Sequence, residues 1–398
     1  MLLIAAPGQG AQAPGFLSPW LDLPGFADRL AAWSPLAGCD LIRCGTAAGA
    51  EEIRDTAVAQ PLLVAAGLAA AEVLLGGLGQ AGRLTAAAAG HSVGELAAGP
   101  IAGVIAAEDA LRLVGVRGRA MARAAAAEPT GMTAVVGGDE RAVLTSIEAF
   151  GLQPANVNGA GQIVAAGTMA QLAAFAADPP AGARLRPLSV AGAFHTRHMA
   201  PAVDSLRSAA EAVATADPVL TLLSNMDGAV VRSGADWLER IVSQVSAPVR
   251  WDMCMQTMSR LGVTAMIELP PAGTLTGLAR RGLPGVQLLA LKSPGELAAA
   301  RAIITEHADS PADCDAPEWR LLVAPLAGTF RVPAAGGPAV APGAAVSTGA
   351  ELGRVEMRGG SHLVVPAFAA TIIEWLVEDG DPVSAGQPLV RLQPDGSE

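Results

Sequence analysis

The sequence is poor in the residues that form covalent cross-links and structural metal sites. Its 398 residues include only four cysteines: Cys39, Cys44, Cys254 and Cys314. The four are scattered, and none stands in a Cys-x-x-Cys pair or at a distance from histidine that is typical of zinc ligands. We therefore expect ordinary free thiols, without a disulfide framework and without a metal site.

Positive charge is also scarce. The chain carries 26 Lys and Arg residues against 37 Asp and Glu, a formal net charge of −11. An acidic balance of this size argues against nucleic acid as a partner. Lysine itself occurs only once, as Lys292, which bears on the C-terminal region below.

Long uninterrupted hydrophobic runs are missing as well. Runs such as Leu62–Ala71 and Leu96–Ala107 end well before the roughly 20 residues that are needed to span a bilayer. The start, Met1–Gly8, lacks a basic segment and has too short an apolar stretch for a signal peptide, and it is typical of a buried first strand. We expect a cytoplasmic protein that does not engage a membrane.

What is abundant is hydrophobic residues, 51% of the chain, which is enough for a sizeable core. The first 300 residues alternate short β-branched runs with Ala- and Leu-rich helical stretches, the pattern of an α/β domain. Within it, residues 131–187 show a β-α-β-β-α-β order, which predicts an inserted ferredoxin-like subdomain. We therefore predict a domain over residues 1–304, a linker over 305–318 and a second domain over 319–398.

Specific elements follow from the same patterns. Strands are predicted at Leu2–Ala6, Leu84–Ala89, Thr133–Val136, Ile163–Ala166, Ala183–Ser189, Thr221–Ser224 and Ala265–Leu269. Helices are predicted at Gln60–Leu75, Val93–Ala98, Ala107–Ala127, Arg141–Phe150, Met169–Ala176, Ala200–Ala214 and Trp237–Val245.

The last 80 residues contain an internal repeat. Two copies of Gly-x-x-Val-Ser-x-Gly-x-x-Leu-x-Arg begin at Gly343 and Gly380, at an offset of 37 residues. Repeated turn and strand chemistry predicts two similar β-units that pack on each other.

The strongest chemical signal is Gly90-His91-Ser92-Val93-Gly94, a G-x-S-x-G nucleophile elbow between a predicted strand and a predicted helix. The turn places the Ser92 hydroxyl at a helix N-terminus, which favours developing negative charge. A nucleophilic serine needs a base, and His195, about 100 residues later, follows a strand-like run and a glycine. We expect His195 at the mouth of a loop rather than in a core.

Two further segments complete the set. Gly8-Gln9-Gly10 follows the first strand and offers a backbone amide for an oxyanion hole. Arg117 lies on a long predicted helix with three other arginines, where a solvated helix face is an equally good interpretation of the sequence alone.

Together, these segments resemble the malonyl-CoA:acyl-carrier-protein transacylases, over roughly residues 1–300, and the resemblance implies an α/β-hydrolase-like core. The matching motifs, in family order, are Ala6-Pro7-Gly8-Gln9-Gly10-Ala11-Gln12, Gly90-His91-Ser92-Val93-Gly94-Glu95, Arg117-Gly118, Ala155-Asn156-Val157-Asn158-Gly159-Ala160-Gly161-Gln162, Gly192–Met199 and Leu275-Thr276-Gly277-Leu278.

The resemblance implies a role for each matching position. Ser92 is the nucleophile and His195 its general base, while Gln9 and the backbone N–H of Val93 hold the oxyanion. Arg117 pairs with the free carboxylate of a malonyl group, a geometry that suits a guanidinium.

The remaining roles are supporting ones. The resemblance implies that a main-chain carbonyl at Gln244 orients the histidine, and that His91 and Asn158 support the elbow and the acyl pocket. Phe194 crowds a branch at the acyl α-carbon and so favours malonyl over methylmalonyl. The implied reaction moves a malonyl group from coenzyme A to the phosphopantetheine thiol of an acyl carrier protein, in fatty-acid or polyketide synthesis.

The C-terminal 80 residues resemble a second family, the biotinyl/lipoyl carrier domains. The stretch from Val365 to Leu389 matches the second half of such a domain, whose fold is an all-β flattened barrel of two quasi-symmetric halves. The family attaches its cofactor to a lysine between methionines, where this chain has Met357-Arg358-Gly359. Arginine cannot form that amide, so the resemblance implies a domain that carries neither biotin nor lipoate. A tether to a carboxylase or synthase and a stabilising appendage are then equally good interpretations.

Two other functions remain open from the sequence. A serine hydrolase or thioesterase would share the elbow, base and oxyanion hole and differ only in the acceptor. A non-enzymatic docking protein that retains the transferase core as a scaffold is the second. The presence of Arg117 and of the Gly8-Gln9-Gly10 turn favours acyl transfer over both.

Overall fold

A computed structural model describes residues 1–308, 320–333, 341–357 and 359–394. By internal contacts the chain divides into two units, Met1–Ser310 and Pro311–Glu398, and each is described by itself.

The first unit alternates helices and strands. Its strands are β1 Leu2–Ala6, β2 Ala87–Gly90, β3 Thr130–Gly137, β4 Gln153–Gly159, β5 Gln162–Thr168, β6 Ala183–Pro187, β7 Thr221–Leu223, β8 Val230–Val231, β9 Val249–Arg250, β10 Ala265–Glu268 and β11 Gln287–Ala290. Its α-helices are α1 Phe26–Ala37, α2 Leu41–Thr46, α3 Thr56–Leu75, α4 Ala81–Leu84, α5 Glu95–Ile101, α6 Ala107–Ala127, α7 Glu140–Ala149, α8 Met169–Ala177, α9 Ala200–Ala210, α10 Gly234–Ser243, α11 Trp251–Arg260, α12 Thr274–Gly282 and α13 Leu297–Ala308.

The central sheet has the order β11-β10-β1-β2-β7-β8, parallel except for the β7–β8 pair. Strand β1 is buried throughout, as expected for a parallel sheet covered on both faces. Its alternate residues enter different cores: Leu2 and Ile4 join one hydrophobic cluster, and Leu3 and Ala5 join another. The carboxyl ends of β1, β2 and β7 lie side by side, so the loops after these three strands meet at one edge of the sheet.

The inserted segment runs β3-α7-β4-β5-α8-β6, and its sheet order is β6-β3-β5-β4, with β9 added beside β4. All pairs are antiparallel except β4–β9. Thr168 caps α8 in a capping box with Gln171. Core residues such as Phe175 and Ile147 pack between the helices and the sheet.

Helix α3 is long and apolar enough to cross a membrane by length and composition, with a mean hydropathy of 1.9. However, 83% of that window is buried inside the protein, which is the environment of a core helix. Within the described residues no other helix meets this criterion.

Several predicted bounds differ from the structure. Residues Ala81–Leu84 are helical, so the strand before the elbow starts only at Ala87. The predicted helix from Ala200 stops at Ala210 rather than Ala214, and residues from Trp251 to Arg260 form a helix that was not predicted. Helix α13 continues to Ala308, four residues into the predicted linker, and within it the hydroxyl of Thr305 donates to the carbonyl of Arg301.

The second unit is built of short strands. They are β12 Arg320–Val323, β13 Gly328–Arg331, β14 Ala345–Val346, β15 Gly353–Met357, β16 Gly360–Val364, β17 Ala370–Trp375, β18 Pro382–Val383 and β19 Pro388–Pro394. In the described residues they form two four-stranded sheets, β12-β19-β17-β14 and β16-β15-β13-β18, with antiparallel pairs throughout.

The sequence repeat is also structural. Its equivalent valines, Val346 and Val383, end two-residue strands, and its equivalent arginines lie on β15 and β19. The turn glycines Gly349 and Gly386 have φ of 76° and 79°, a conformation that favours glycine. Arg358, the residue at the predicted attachment position, lies outside the described residues.

Candidate active site

The elbow after β2 is a sharp turn that only small flanking residues permit. A Cβ at Gly90 would lie 2.1 Å from the carbonyl carbon of Gly94, and a Cβ at Gly94 would lie 2.2 Å from the carbonyl oxygen of Ala6. Ser92 has φ of 53°, a left-handed conformation that is costly for a residue with a side chain. The fold therefore holds Ser92 in a strained position at the start of a helical turn.

The serine hydroxyl is paired with a histidine. Ser92 Oγ lies 2.6 Å from His195 Nε2, and His195 Nδ1 lies 3.0 Å from the main-chain oxygen of Gln244. Because a carbonyl oxygen can only accept, Nδ1 carries the proton and Nε2 is left to accept the proton of Ser92. This is the arrangement of a nucleophile, a base and an orienting group.

His195 lies in a loop, as predicted, but it is not at an open mouth: only 4% of the residue is exposed. Burial, followed by the positive charge of Arg117, lowers the pKa of His195 to about 3. The imidazole is therefore neutral at physiological pH, the form that can accept a proton.

Arg117 is buried, with 3% exposed, so it does not belong to a solvated helix face. It donates to Gln60 Oε1 at 2.5 Å and lies 3.4 Å from Ser92 Oγ. Burial lowers its pKa to about 10, while the carboxyl group of Glu95 acts in the opposite direction. The guanidinium thus stays charged at neutral pH and faces the Ser92 hydroxyl.

A cavity of about 80 Å³ lies over these groups. This space suits a short acyl group rather than a long chain. Its lining includes predicted and unpredicted residues: Gln9, Gln60, His91, Ser92, Val93, Arg117, Met121, Met132, Asn156, Leu188, Val190, Phe194 and His195.

The predicted oxyanion donors flank the cavity. The side chain of Gln9 is already engaged, because its Oε1 accepts from Thr56 Oγ1 at 2.8 Å and its Nε2 donates to the carbonyl of Arg54 at 3.1 Å. What Gln9 can offer an oxyanion is therefore its main-chain N–H. Val93 lies in the first turn of the helical segment, where N–H groups have no partner within a helix.

The other predicted residues surround this centre. His91 Nε2 bonds Asn158 Oδ1 at 2.9 Å, next to the elbow. Phe194 is buried and lines the cavity directly before the base. Asn158 is not among the cavity-lining residues, so its contact with the site runs through His91.

Sequence reasoning missed three polar residues of the site: Asn156, which lines the cavity, and two amides that connect its parts. Gln60 joins Arg117 to Thr56, to which it donates at 2.9 Å, and so links the guanidinium to the Gln9 loop. Asn225, after β7, bonds the elbow and Gln244. A signal was available for Gln60, since it is a single amide that opens an otherwise apolar helical run.

The site has no features of a metal centre. Over the part of the chain that the structure describes, no group of three or more His, Cys, Asp or Glu side chains is placed to hold a metal ion. The chemistry that the geometry supports is nucleophilic acyl transfer at Ser92.

Known proteins share this core. The family model described as "Acyl transferase domain" matches residues 6–302. The malonyl CoA-acyl carrier protein transacylase of Mycobacterium bovis is 57% identical over 297 residues, covering 75% of this chain and 98% of that protein. The crystal structure of the MCAT of Mycobacterium tuberculosis matches with 55% identity and a TM-score of 0.72, over 75% of this chain and 99% of its own.

A further solved structure contains a carrier protein. It is the complex of a type II polyketide acyl-carrier protein with its malonyl-transacylase, 29% identical, with a TM-score of 0.70, over 76% of this chain and 99% of that one. The family match ends at residue 302, before the second unit. The match of the family model to residues 6–302 and the 57% identity to a curated relative show that this chain is an acyltransferase that belongs to the malonyl CoA-acyl carrier protein transacylases.

Proposed function

We propose that this chain takes a malonyl group from coenzyme A onto Ser92 and passes it to the phosphopantetheine thiol of an acyl carrier protein. The observation that carries the proposal is the position of Arg117, a buried cation 3.4 Å from Ser92 Oγ, in a small cavity with the neutral base His195. A short acyl group with a free carboxylate is the substrate that satisfies both the nucleophile and the cation.

We assign a step to each group from these distances. Ser92 Oγ attacks the thioester carbonyl while its proton passes to His195 Nε2, and the carbonyl of Gln244 supports the imidazolium that forms. The N–H groups of Gln9 and Val93 receive the developing oxyanion. The tetrahedral intermediate then expels the coenzyme A thiolate, which takes the proton from His195. The carrier thiol enters by the same steps in reverse order.

Hydrolysis is the competing outcome, because water could replace the carrier thiol with the same residues. Two features favour transfer: the Gly8-Gln9-Gly10 turn beside the elbow and the family to which the chain belongs. The relative solved with its acyl-carrier protein supports a carrier as the acceptor. A pure scaffold role is disfavoured because the nucleophile, base and buried cation form one connected set.

Intact-protein mass spectrometry tests the proposal. Incubation with malonyl-CoA should add one malonyl group to the wild type and none to Ser92→Ala. Addition of a holo acyl carrier protein should then discharge the enzyme and malonylate the carrier, faster than the acyl group is released to water. Acylation of Ser92→Ala would refute the nucleophile, and faster release to water than to carrier would favour the thioesterase.

For the second unit we propose a biotinyl/lipoyl-like module that acts without a prosthetic group. The support is the resemblance around Val365–Leu389, the 37-residue repeat, and the arginine in place of the attachment lysine. Its role would be to tether the transacylase to a carboxylase or synthase in the cytoplasm. Mass spectrometry of protein from a host that supplies both biotin and lipoate should give the unmodified mass for this unit.

A further inference from the structure

One buried side chain outside the cavity bonds both the backbone of Ser92 and the residue that orients His195. Asn225 follows β7, at the sheet edge where the loops after β1 and β2 also end, and it is fully buried. Its Oδ1 accepts from the N–H of Ser92 at 3.1 Å, and its Nδ2 donates to the carbonyl of Gly90 at 3.0 Å. The carboxamide thus bridges the elbow on either side of His91.

The same Oδ1 also accepts from Gln244 Nε2. The main-chain oxygen of Gln244 is the acceptor for His195 Nδ1. One oxygen atom with two lone pairs therefore joins the backbone of the nucleophile to the residue that orients the base.

Asn225 is itself fixed at both ends of its backbone. Its N–H donates to Glu95 Oε1 at 2.9 Å, and its carbonyl accepts from the N–H of Arg250 at 2.6 Å. Glu95 lies three residues after Ser92, at the start of α5, so three hydrogen bonds join Asn225 to the segment from Gly90 to Glu95.

We propose that Asn225 is a positioning residue that keeps Ser92 Oγ and His195 Nε2 in line for proton transfer in both half-reactions. The inference rests on the proposed function, since it takes Ser92 as nucleophile and His195 as base. The strained φ of Ser92 needs surrounding contacts to persist, and an error of about 1 Å in such a pair can cost on the order of 100-fold in rate.

The test measures single-turnover acylation by malonyl-CoA and discharge to a holo acyl carrier protein in full-length Asn225→Ala. We expect both rate constants to fall by about 100-fold at saturating substrate. The KM for malonyl-CoA should change little, because the hydrogen bonds of Arg117 go to Gln60 and Ser92. Leu222→Ala, on the strand β7 that precedes Asn225, removes a buried side chain, is the matched control for lost stability and should keep both rate constants.

Asn225→Asp gives a second readout and serves if Asn225→Ala does not fold. The introduced carboxylate keeps the acceptor for Ser92 but turns an oxygen toward the carbonyl of Gly90. Protonation restores a donor there, so the rate relative to wild type should recover as the pH is lowered.

The outcomes separate the two proposals. Rate constants near wild type in both Asn225 variants, with only a lowered unfolding midpoint, would overturn the positioning role. The mass-spectrometric test of Ser92→Ala reports on the proposed function separately, so either proposal can fail without the other.

Discussion

Arg117→Ala is expected to separate malonyl transfer from acyl transfer in general. The guanidinium is 3% exposed, and its pKa of about 10 keeps it charged at pH 7. A malonyl carboxylate in this cavity would therefore lose its positively charged partner, since the lining residues include no other Lys or Arg. An acetyl group has no free carboxylate, so its transfer does not depend on this charge.

The magnitude follows from the burial of the pair. Removing one partner of a buried, hydrogen-bonded charge pair costs about 2–5 kcal/mol. Since each 1.36 kcal/mol is tenfold, kcat/KM for malonyl-CoA should fall by roughly 30-fold to 5,000-fold. The value for acetyl-CoA should be unchanged or higher, because Ser92 and His195 remain and a buried charge is removed.

The assay compares kcat/KM for malonyl-CoA and acetyl-CoA with one carrier protein, in wild type, Arg117→Ala and Arg117→Lys. The lysine variant keeps a charge without the planar fork, so its malonyl loss should be intermediate. Thermal unfolding of each variant controls for folding. An equal loss with both substrates would refute the reasoning, because it would make Arg117 a structural support of the site.

Three further predictions concern proton linkage, acyl selectivity and the second unit. Burial lowers the pKa of His195 from 6.5 to about 3, so between about pH 4.5 and 6.5 this residue is neutral in the folded protein and protonated in the unfolded chain. Burial raises the pKa of Glu95 from 4.5 to about 7, so over the same range this residue is protonated in the folded protein and ionised in the unfolded chain. With rising pH, His195 therefore increases the free energy of unfolding and Glu95 decreases it, each by about 1.4 kcal/mol per pH unit, and the two effects cancel. Glu95→Gln removes the decrease, so the free energy of unfolding of this variant should rise by about 1.4 kcal/mol per pH unit relative to wild type. Urea unfolding followed by helical circular dichroism measures it, and an unaltered slope would contradict the cancellation. Phe194→Ser should raise methylmalonyl relative to malonyl turnover by about tenfold or more; equal turnover of the two substrates by the wild type would count against crowding by Phe194. Truncation after Cys314 should leave malonyl transfer to a purified carrier at its wild-type rate, and a pull-down that retains every partner of the full chain would exclude the tethering role.

The parts of the site that could be predicted are those where an unusual backbone conformation restricts which residues can stand there. Ser92 stands between two glycines because their neighbours approach within about 2 Å of where a Cβ would be, and such a constraint is visible as a motif. The bounds of β1 and α6 also follow directly from period and composition. The stop of α9 at Ala210 could not be predicted, because the alanines beyond it are good helix formers and only the tertiary context ends the helix.

Gln60 and Asn225, two of the missed residues, belong to no recognisable local sequence motif, but one physical rule applies to both. A buried amide is costly unless its donors and acceptors are paired, so a lone amide in an apolar segment must meet another polar group in the fold. Gln60 lies one turn into helix α3, where its long apolar run begins, and reaches Arg117. Asn225 lies two residues after the end of strand β7 and reaches Ser92. The sequence shows that such a partner is required. Only the sheet order, in which β7 lies beside β2, shows that the partner of Asn225 is Ser92. The sequence can therefore show which polar residues need a buried partner, but only the sheet topology shows that the partner belongs to the catalytic pair.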